Sequence, residues 1–236
     1  MPPVIAENLD IVISRIHAAA TAAGRQPKDV HLLAVSKNCS SDTIRKAVVA
    51  GQQSFGENYV KEALEKMTEL ANTTYNENTQ KRLIWHFIGP LQTNKTKLVA
   101  TNFDWVHSVD RLKTAERLSL QRPAYLPPLQ VCLQVNISGE TSKSGTMPED
   151  VQILAKTVAS LPNIQLRGLM TIPKATTDPI AQRCEFATLR MLYERLNTYG
   201  LALDTLSMGM SHDLETAIAE GATIVRVGTA IFGARN

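Results

Sequence analysis

Short apolar runs alternate with longer amphipathic stretches along the whole chain of 236 residues. The runs are rich in Val, Ile and Leu, which is typical of buried strands, whereas the stretches between them carry apolar residues at helical spacing. A strand and a helix recur about every 30 residues, which is the size of a βα repeat. Eight strands are predicted, at 30–36, 53–56, 83–88, 103–108, 129–136, 164–170, 204–208 and 223–227.

Helical spacing also predicts a helix ahead of the first strand. Ile5, Leu9, Val12 and Ile16 recur on one face there, and turn residues from Gly24 onward end the pattern. The polar stretch 72–81 is predicted to be an exposed loop. The other predicted helices span 40–51, 58–71, 95–100, 111–120, 149–161, 181–199 and 213–220.

Strict alternation of strands and helices favours a parallel sheet. Eight βα units that close on themselves form a (β/α)8 barrel, and the alternative is an open doubly wound sheet. An open sheet usually carries a glycine-rich turn after its first strand, but the turn here reads Ser36-Lys37-Asn38-Cys39. We therefore predict an α/β barrel with an additional N-terminal helix. No compositional break divides residues 1–236, so we expect a single domain.

Composition and charge argue against nucleic-acid-binding, membrane-spanning and metal-binding proteins. Lys and Arg number 25 and Asp and Glu 22, and a net charge of +3 is too small for a nucleic-acid footprint. No apolar run is long enough to span a membrane, and no secretory leader is recognisable. The three cysteines are odd in number and lie far apart, without metal-ligand spacing. We expect a soluble cytoplasmic protein without a metal site.

A lysine directly follows the first predicted strand. Functional side chains of a barrel collect at the C-terminal ends of its strands, and Lys37 occupies such an end. Lysines are rarely buried. Lys37 therefore either extends to solvent beside the strand or supplies an amine that condenses with a carbonyl group.

Small hydroxyl-bearing residues follow the last two predicted strands. Ser207-Met208-Gly209-Met210-Ser211 comes after the seventh strand, and Gly228-Thr229-Ala230 comes after the eighth. Barrels frequently bind phosphate between these two loops, through backbone N–H groups and hydroxyls. Ser211 also fits a plain helix N-cap, which does not exclude phosphate. Together with a strand-end lysine, the pattern favours a phosphorylated aldehyde, and pyridoxal 5′-phosphate (PLP) fits best.

An arginine interrupts the apolar eighth strand. In a barrel wall Arg226 needs a partner, either a carboxylate in a structural ion pair or the pyridine nitrogen of a bound ring. A guanidinium would keep that nitrogen unprotonated, which weakens the ring as an electron sink. Position alone leaves two interpretations open for three other candidates. Each could contact a ligand, but His86 could equally be a core histidine, Asn58 could be a helix N-cap and Lys143 could be a solvated lysine.

Several longer motifs occur in a fixed order: LAVSK (33–37), FGENY (55–59), WHFIGPLQ (85–92), NK (94–95), SKSG (142–145), RGLM (167–170), LSMGMS (206–211) and VRVGTAIFG (225–233). With these motifs the chain resembles the pyridoxal phosphate homeostasis protein family, also called proline synthetase co-transcribed homologues, and especially its bacterial members. The resemblance covers nearly the whole chain. The family is similar to the barrel domain of alanine racemase standing alone.

The resemblance implies specific roles for individual residues. Lys37 would carry PLP as a covalent aldimine, and Arg226 would meet the pyridine nitrogen. Lys143 stays a possible second amine. The remaining implied contacts are Ser207, Gly228 and Thr229 to the phosphate, with Met210 nearby, and Asn58, His86 and Met170 around the ring.

The resemblance also implies a biological role without catalytic turnover. Proteins of this kind act in vitamin B6 homeostasis as PLP carriers or regulators, with indirect effects on amino-acid and keto-acid balance. The implied partners are PLP itself and PLP-dependent apoenzymes or PLP-producing enzymes, with the protein acting as a monomer.

Two enzyme classes stay open as alternatives. The first is a PLP-dependent amino-acid racemase, and the second is a sugar-phosphate enzyme that uses Lys37 as an aldolase-type amine. Racemisation needs bases on both faces of the cofactor. The tyrosines fall on predicted helices or loops away from most strand ends, so we expect no useful racemase activity.

Overall fold

Eight parallel strands close into one barrel in chain order. The computed structural model describes residues 5–71, 82–140, 143–174, 176 and 178–234. Pairing of the last strand with the first completes the barrel, which confirms the predicted (β/α)8 architecture and shows that the open-sheet alternative is wrong. The strands are β1 (His31–Val35), β2 (Ser54–Glu57), β3 (Ile84–Phe87), β4 (Trp105–Val109), β5 (Leu129–Gln134), β6 (Ile164–Met170), β7 (Thr205–Ser207) and β8 (Ile224–Val227).

Helices follow the strands and cover the outside of the barrel. The predicted bounds are correct to within a few residues, and the predicted loop 72–81 lies outside the described residues. A four-residue helix after β8 was not predicted, because one turn is too short to show a periodicity. The helices are α1 (Ile5–Ala22), α2 (Ser41–Val49), α3 (Val60–Leu70), α4 (Thr96–Asn102), α5 (Leu112–Gln121), α6 (Val151–Ala159), α7 (Pro179–Thr198), α8 (Leu214–Ala219) and α9 (Thr229–Phe232).

The N-terminal helix α1 packs against α8 and α9. Its buried face is the predicted apolar stripe, and polar side chains beside that stripe bind the barrel. Asn8 Nδ2 donates to the carbonyl of Ile231 at 2.9 Å. Arg15 Nη2 donates to the carbonyl of Ser211 at 3.1 Å. Helix α1 therefore forms hydrogen bonds to the chain segments that follow β7 and β8 and holds them in place.

A buried polar chain of hydrogen bonds crosses the inside of the barrel. His86 Nδ1 lies 2.9 Å from His107 Nε2, and His107 Nδ1 lies 2.8 Å from Ser207 Oγ. Arg226 Nη1 donates to the same Ser207 Oγ at 2.8 Å. The His86 ring also stacks on Trp105, with ring centroids 5.4 Å apart. Residues from β3, β4, β7 and β8 are thus joined across the core.

Neutral imidazoles satisfy all three of these contacts. Arginine can only donate, so Ser207 Oγ accepts from Arg226. The other two bonds run either from Ser207 Oγ through His107 to His86, or from His86 through His107 to the second lone pair of Ser207 Oγ. Each imidazole carries one hydrogen in both arrangements.

Burial favours the same neutral state. Desolvation, with a smaller contribution from His31, lowers the pKa of His86 to about 3. Desolvation, His86 and Arg226 lower the pKa of His107 well below its ordinary value. A histidine whose pKa is lower in the folded chain than in the unfolded chain binds a proton more readily when the chain is unfolded. Falling pH therefore reduces the free energy of unfolding, beginning near the unfolded pKa and continuing down to the folded pKa. For His86 this window extends from about 6.5 down to about 3.

We predict that His86→Gln has a lower free energy of unfolding than the wild type at pH 7.5, and that the difference between the two proteins is much smaller at pH 5.0. The unfolded wild-type chain gains a proton on His86 at pH 5.0 that the folded chain cannot accept. From the reference pKa, the difference in unfolding free energy between variant and wild type should shrink by about 2 kcal/mol. Denaturant titrations at the two pH values measure it.

His17, which is exposed on α1, provides the matched control. His17→Gln should differ from the wild type by the same amount at both pH values. A difference between His86→Gln and the wild type that stays constant from pH 7.5 to pH 5.0 would contradict a neutral buried His86.

Candidate functional site

A cavity of about 230 Å³ opens where the C-terminal ends of the strands meet. Its wall is formed by residues that follow β1, β2, β3, β6, β7 and β8, with Arg226 reaching it from within β8. The lining combines apolar side chains with amine, amide, hydroxyl and guanidinium groups. The lining residues are Val35, Lys37, Asn58, Ile88, Ile172, Met210, Ser211, His212, Arg226, Gly228 and Thr229.

A second cavity of about 200 Å³ adjoins the first and shares Asn58, Ile88 and Ile172 with it. Lys143 lines this second cavity, and its Nζ forms an ion pair with Glu140 at 2.6 Å. The ammonium of Lys143 therefore has a carboxylate of its own loop at ion-pair distance, without hydrogen-bond geometry between the two groups.

Lys37 lies in the turn directly after β1 and is half-buried in the cavity wall. The turn is held by Ser36 N–H, which donates to the carbonyl of Gly56 at 2.9 Å, and by Cys39 N–H, which donates to the carbonyl of Ser36 at 3.0 Å. Asn38 takes a left-handed conformation with φ of 58°. Within the described ranges, Lys37 Nζ forms no hydrogen bond or ion pair, so its amine is available at the cavity.

Asn58 reaches the cavity with an unsatisfied acceptor. Its Oδ1 is buried and has no hydrogen-bond partner among the described residues. Helix α3 begins after Tyr59, so the N-cap interpretation of Asn58 is wrong. Gly89 packs directly on the Asn58 backbone, where a Cβ would lie 2.3 Å from the Asn58 carbonyl oxygen. The absence of a side chain at Gly89 thus allows β3 to approach this residue.

The segments after β7 and β8 lie side by side at the cavity. Arg226 N–H donates to the carbonyl of Gly209 at 2.9 Å, which joins the two segments. Gly209 has φ of 91°, and a Cβ there would lie 2.6 Å from the Cβ of Ala217, so both backbone and space require glycine. Thr229 opens α9, and its backbone N–H has no acceptor within that helix.

Ser211 lies in this joined pair of segments and lines the cavity. Helix α8 begins later than predicted, after Asp213, whose Oδ1 accepts from Met210 N–H. The interpretation of Ser211 as a helix N-cap is therefore wrong. Ser211 and Thr229 line the same cavity.

Arg226 borders the cavity from the barrel interior. Its Nη1 donates to the Ser207 carbonyl at 2.6 Å, and its Nη2 donates to the Thr171 carbonyl at 2.8 Å. No carboxylate in the described ranges lies within ion-pair distance, so the structural ion pair considered from the sequence is wrong. Burial lowers the pKa of Arg226 to about 10, which leaves the guanidinium protonated at neutral pH.

Three predicted site residues lie beneath the cavity and do not line it. Ser207, His86 and Met170 are buried, and the first two belong to the hydrogen-bonded chain inside the barrel. The side chains of Ser207 and His86 form hydrogen bonds inside the barrel, whereas the cavity is bounded mainly by residues further along the chain. Lining residues that were not predicted include Ile88, the last residue of the predicted third strand, and Ile172, two positions past the predicted sixth strand.

Metal and membrane features are also absent from the described part of the chain. No group of three or more His, Cys, Asp or Glu side chains there is placed to hold a metal ion. None of the helices in those ranges combines the length and apolar character that crossing a membrane requires.

Comparison with known proteins gives long and consistent matches. The profile of the family described as "Alanine racemase, N-terminal domain" matches residues 8–236. The pyridoxal phosphate homeostasis protein of Pseudomonas aeruginosa is 60% identical over 98% of this chain and 96% of its own. The protein of the same name from Escherichia coli K12 is 50% identical over 98% of this chain and 97% of its own.

Solved structures share the fold over nearly the whole chain. An unknown protein from Bifidobacterium adolescentis is 38% identical, with a TM-score of 0.91, and the match covers 97% of this chain and 94% of that one. PipY of Synechococcus elongatus PCC7942, solved with PLP bound, is 37% identical, with a TM-score of 0.81, and covers 97% of this chain and 100% of its own. The chain therefore belongs to the pyridoxal phosphate homeostasis protein family, with the barrel of the alanine racemase N-terminal domain.

Proposed function

We propose that this protein binds PLP covalently through Lys37 and serves intracellular PLP homeostasis as a carrier or regulator, without catalytic turnover. The observation that carries the proposal is the unengaged amine of Lys37 in a cavity that is also lined by residues with hydroxyl and backbone N–H donors. An amine and an anion-binding wall in one cavity match the aldehyde and the phosphate of a single small ligand.

The donor set supports PLP over a ligand without phosphate. Ser211, Gly228 and Thr229 supply hydroxyl and backbone donors suited to the phosphate. We assign this contact to Ser211 in place of Ser207, because Ser207 Oγ is already bonded to Arg226 and His107. A phosphate beside these donors would gain charge-assisted hydrogen bonds.

The rest of the cavity suits an aromatic ring with polar substituents. Met210, Ile88 and Ile172 supply apolar walls, and the unpartnered Asn58 Oδ1 would accept a hydrogen bond from a ring substituent. We assign Arg226 as the donor to the pyridine nitrogen. His86 and Met170 lie beneath this surface and support it without contact in the present arrangement.

Lys37 provides the covalent link. Its Nζ would hold the ligand through a C=N bond in place of the aldehyde C=O bond, with the loss of one water. The reaction needs no oxidant or other reactant. It is reversible by hydrolysis, which suits a protein that releases its ligand to PLP-dependent apoenzymes or takes it from PLP-producing enzymes.

Arg226 also supports a role without turnover. A protonated guanidinium beside the pyridine nitrogen keeps that nitrogen unprotonated, and the ring is then a poorer electron sink for carbanion formation. Proton abstraction from a bound amino acid should therefore be slow.

A second catalytic base is also missing from the described cavity walls. No tyrosine of the described ranges lines either cavity, and Tyr75 lies outside those ranges. His212 is at the rim but exposed, and no hydrogen bond in the described part of the chain orients its ring. General base catalysis depends on a positioned group.

One closed barrel accounts for the whole cavity, and we propose that the protein acts as a monomer with a single domain. The odd number of widely spaced cysteines is typical of a reducing compartment, and we place the protein in the cytoplasm.

We predict that borohydride reduction of the PLP-loaded protein places the pyridoxyl group on Lys37. Peptide mass spectrometry locates the label, and an absorbance band that the reductant bleaches accompanies it. Lys37→Ala should lose both signals and keep the far-ultraviolet circular dichroism of the wild type, because the side chain borders an open cavity.

Lys143→Ala is the matched control, since Lys143 is the other lysine that lines the adjoining cavities. It should retain the label on Lys37. Labelling mainly on Lys143 in the wild-type protein would overturn the assignment.

We predict that the phosphate contributes strongly to affinity through Ser211 and Thr229. Loss of one charge-assisted hydrogen bond typically costs about 1.5–3 kcal/mol, or roughly ten- to a hundredfold in Kd. Ser211→Ala and Thr229→Val should weaken PLP by such a factor and leave the affinity for pyridoxal nearly unchanged. Equal loss of both ligands in fluorescence titrations would place the phosphate elsewhere.

We predict no useful racemisation of amino acids. Holo-protein incubated with L-alanine in deuterium oxide should give neither the D-enantiomer nor deuterium at Cα at a rate approaching about 1 s⁻¹, the low end for ordinary enzymes. Turnover at that rate or faster, followed by chiral chromatography and mass spectrometry, would contradict a non-catalytic role.

A further inference from the structure

A buried ionic cluster of Glu57, Glu62 and Lys66 lies against the turn that carries Lys37. Lys66 projects from α3 and is only 5% exposed, and Glu57 at the end of β2 is fully buried. None of the three residues lines the cavity at the strand ends. The cluster therefore needs an explanation other than direct contact with the ligand.

All three N–H donors of the Lys66 ammonium have acceptors. Nζ donates to the carbonyl of Ser36 at 2.7 Å and to Glu57 Oε1 at 2.9 Å, and its third partner is Glu62 Oε1. One of the three bonds thus goes to the residue directly before Lys37.

The carboxylates hold the same turn from both sides. Glu57 Oε1 accepts from the Ser36 hydroxyl at 2.6 Å. Glu62 Oε1 accepts from the backbone N–H of Asn38 at 2.6 Å. The residues before and after Lys37 are both fixed, whereas the Lys37 amine is left unengaged.

Stability alone does not account for this arrangement. Burial raises the pKa of Glu57 against the opposing effect of Lys66, which shows that the cluster is held at a desolvation cost. Apolar replacements of buried ion pairs are often neutral or stabilising. Asn38 has a left-handed backbone, which asparagine adopts more readily than most residues, and the bond from its N–H to Glu62 holds it in that conformation.

We propose that this cluster positions Lys37, so that its amine enters the cavity from a backbone held in one conformation. Glu62 is then a positioning residue that acts on Lys37 through Asn38. The inference rests on the proposed covalent binding of PLP at Lys37. A fixed attachment point reduces the conformational freedom lost when the covalent bond forms.

Glu62 is the residue to vary, because it is partly exposed and its loss leaves the Lys66–Glu57 pair intact. Glu62→Ala removes the acceptor for Asn38 N–H, whereas Glu62→Gln keeps a carbonyl oxygen in its place. Glu65→Ala is the matched control on the same helix, since Glu65 forms only an exposed pair with Lys61 at 3.9 Å.

The experiment measures Kd for PLP and for pyridoxal, the rate of borohydride-trapped labelling of Lys37, and amide hydrogen exchange of the segment 36–39. Glu62→Ala should weaken both aldehydes about tenfold and slow the labelling by a similar factor, because the backbone at Lys37 is then no longer held in one conformation before the ligand binds. The preference for PLP over pyridoxal should not change, because the phosphate wall is untouched. Exchange of the Asn38 amide should rise.

Glu62→Gln should recover most of the affinity, and Glu65→Ala should match the wild type. Affinity and labelling in Glu62→Ala that stay within twofold of the wild type would overturn the inference while leaving the proposed function intact. A loss confined to PLP would also overturn it. A wild-type protein without label on Lys37 would overturn the proposed function and this inference with it.

Discussion

Pairing of β8 with β1 is the constraint on which the site depends. The register aligns Ala34 with Val227, so the ends of two strands that lie far apart in sequence meet at one rim. Lys37 and Thr229 then face the same cavity. In an open sheet these segments would lie at opposite edges, and the amine and the anion-binding donors could not bind one small ligand.

Beneath that rim, the polar groups that support the site from inside the protein are separate from the polar groups that line the cavity. Ser207 and Thr171 accept hydrogen bonds from Arg226, whose protonated guanidinium borders the cavity with no carboxylate of the described residues beside it. The ionic cluster under the Lys37 turn is likewise kept out of the cavity. The hydrogen-bonded groups that support the site therefore lie below the cavity, and the groups available to a ligand lie at its surface.

Much of this could be predicted from the sequence, because the βα rhythm gives both the barrel and its functional rim. Lys37 was found from that rhythm, since it directly follows an apolar strand. The same reasoning selects Ser207 and His86 as candidates, but periodicity does not settle whether a residue near the end of a strand points into the barrel or towards its mouth. Both point inward, and neither lines the cavity.

Other features carried no readable signal. The cluster around Lys66 joins α3 to the turn after β1, and an ordinary Glu/Lys-rich helix does not reveal which of its charges will be buried. His107 lies within an apolar strand, and its pairing with His86 depends on the spatial register between β3 and β4. Helix α9 is one turn long, too short for any pattern.

The most direct measurement is a diffraction structure of the borohydride-reduced complex with PLP. The account predicts continuous density from Lys37 Nζ to the pyridoxyl ring, the phosphate against Ser211 and Thr229, and Arg226 at the ring nitrogen with its bonds to Ser207 and Thr171 kept. A ligand attached to Lys143 in the second cavity, or a phosphate turned away from the segments after β7 and β8, would contradict it.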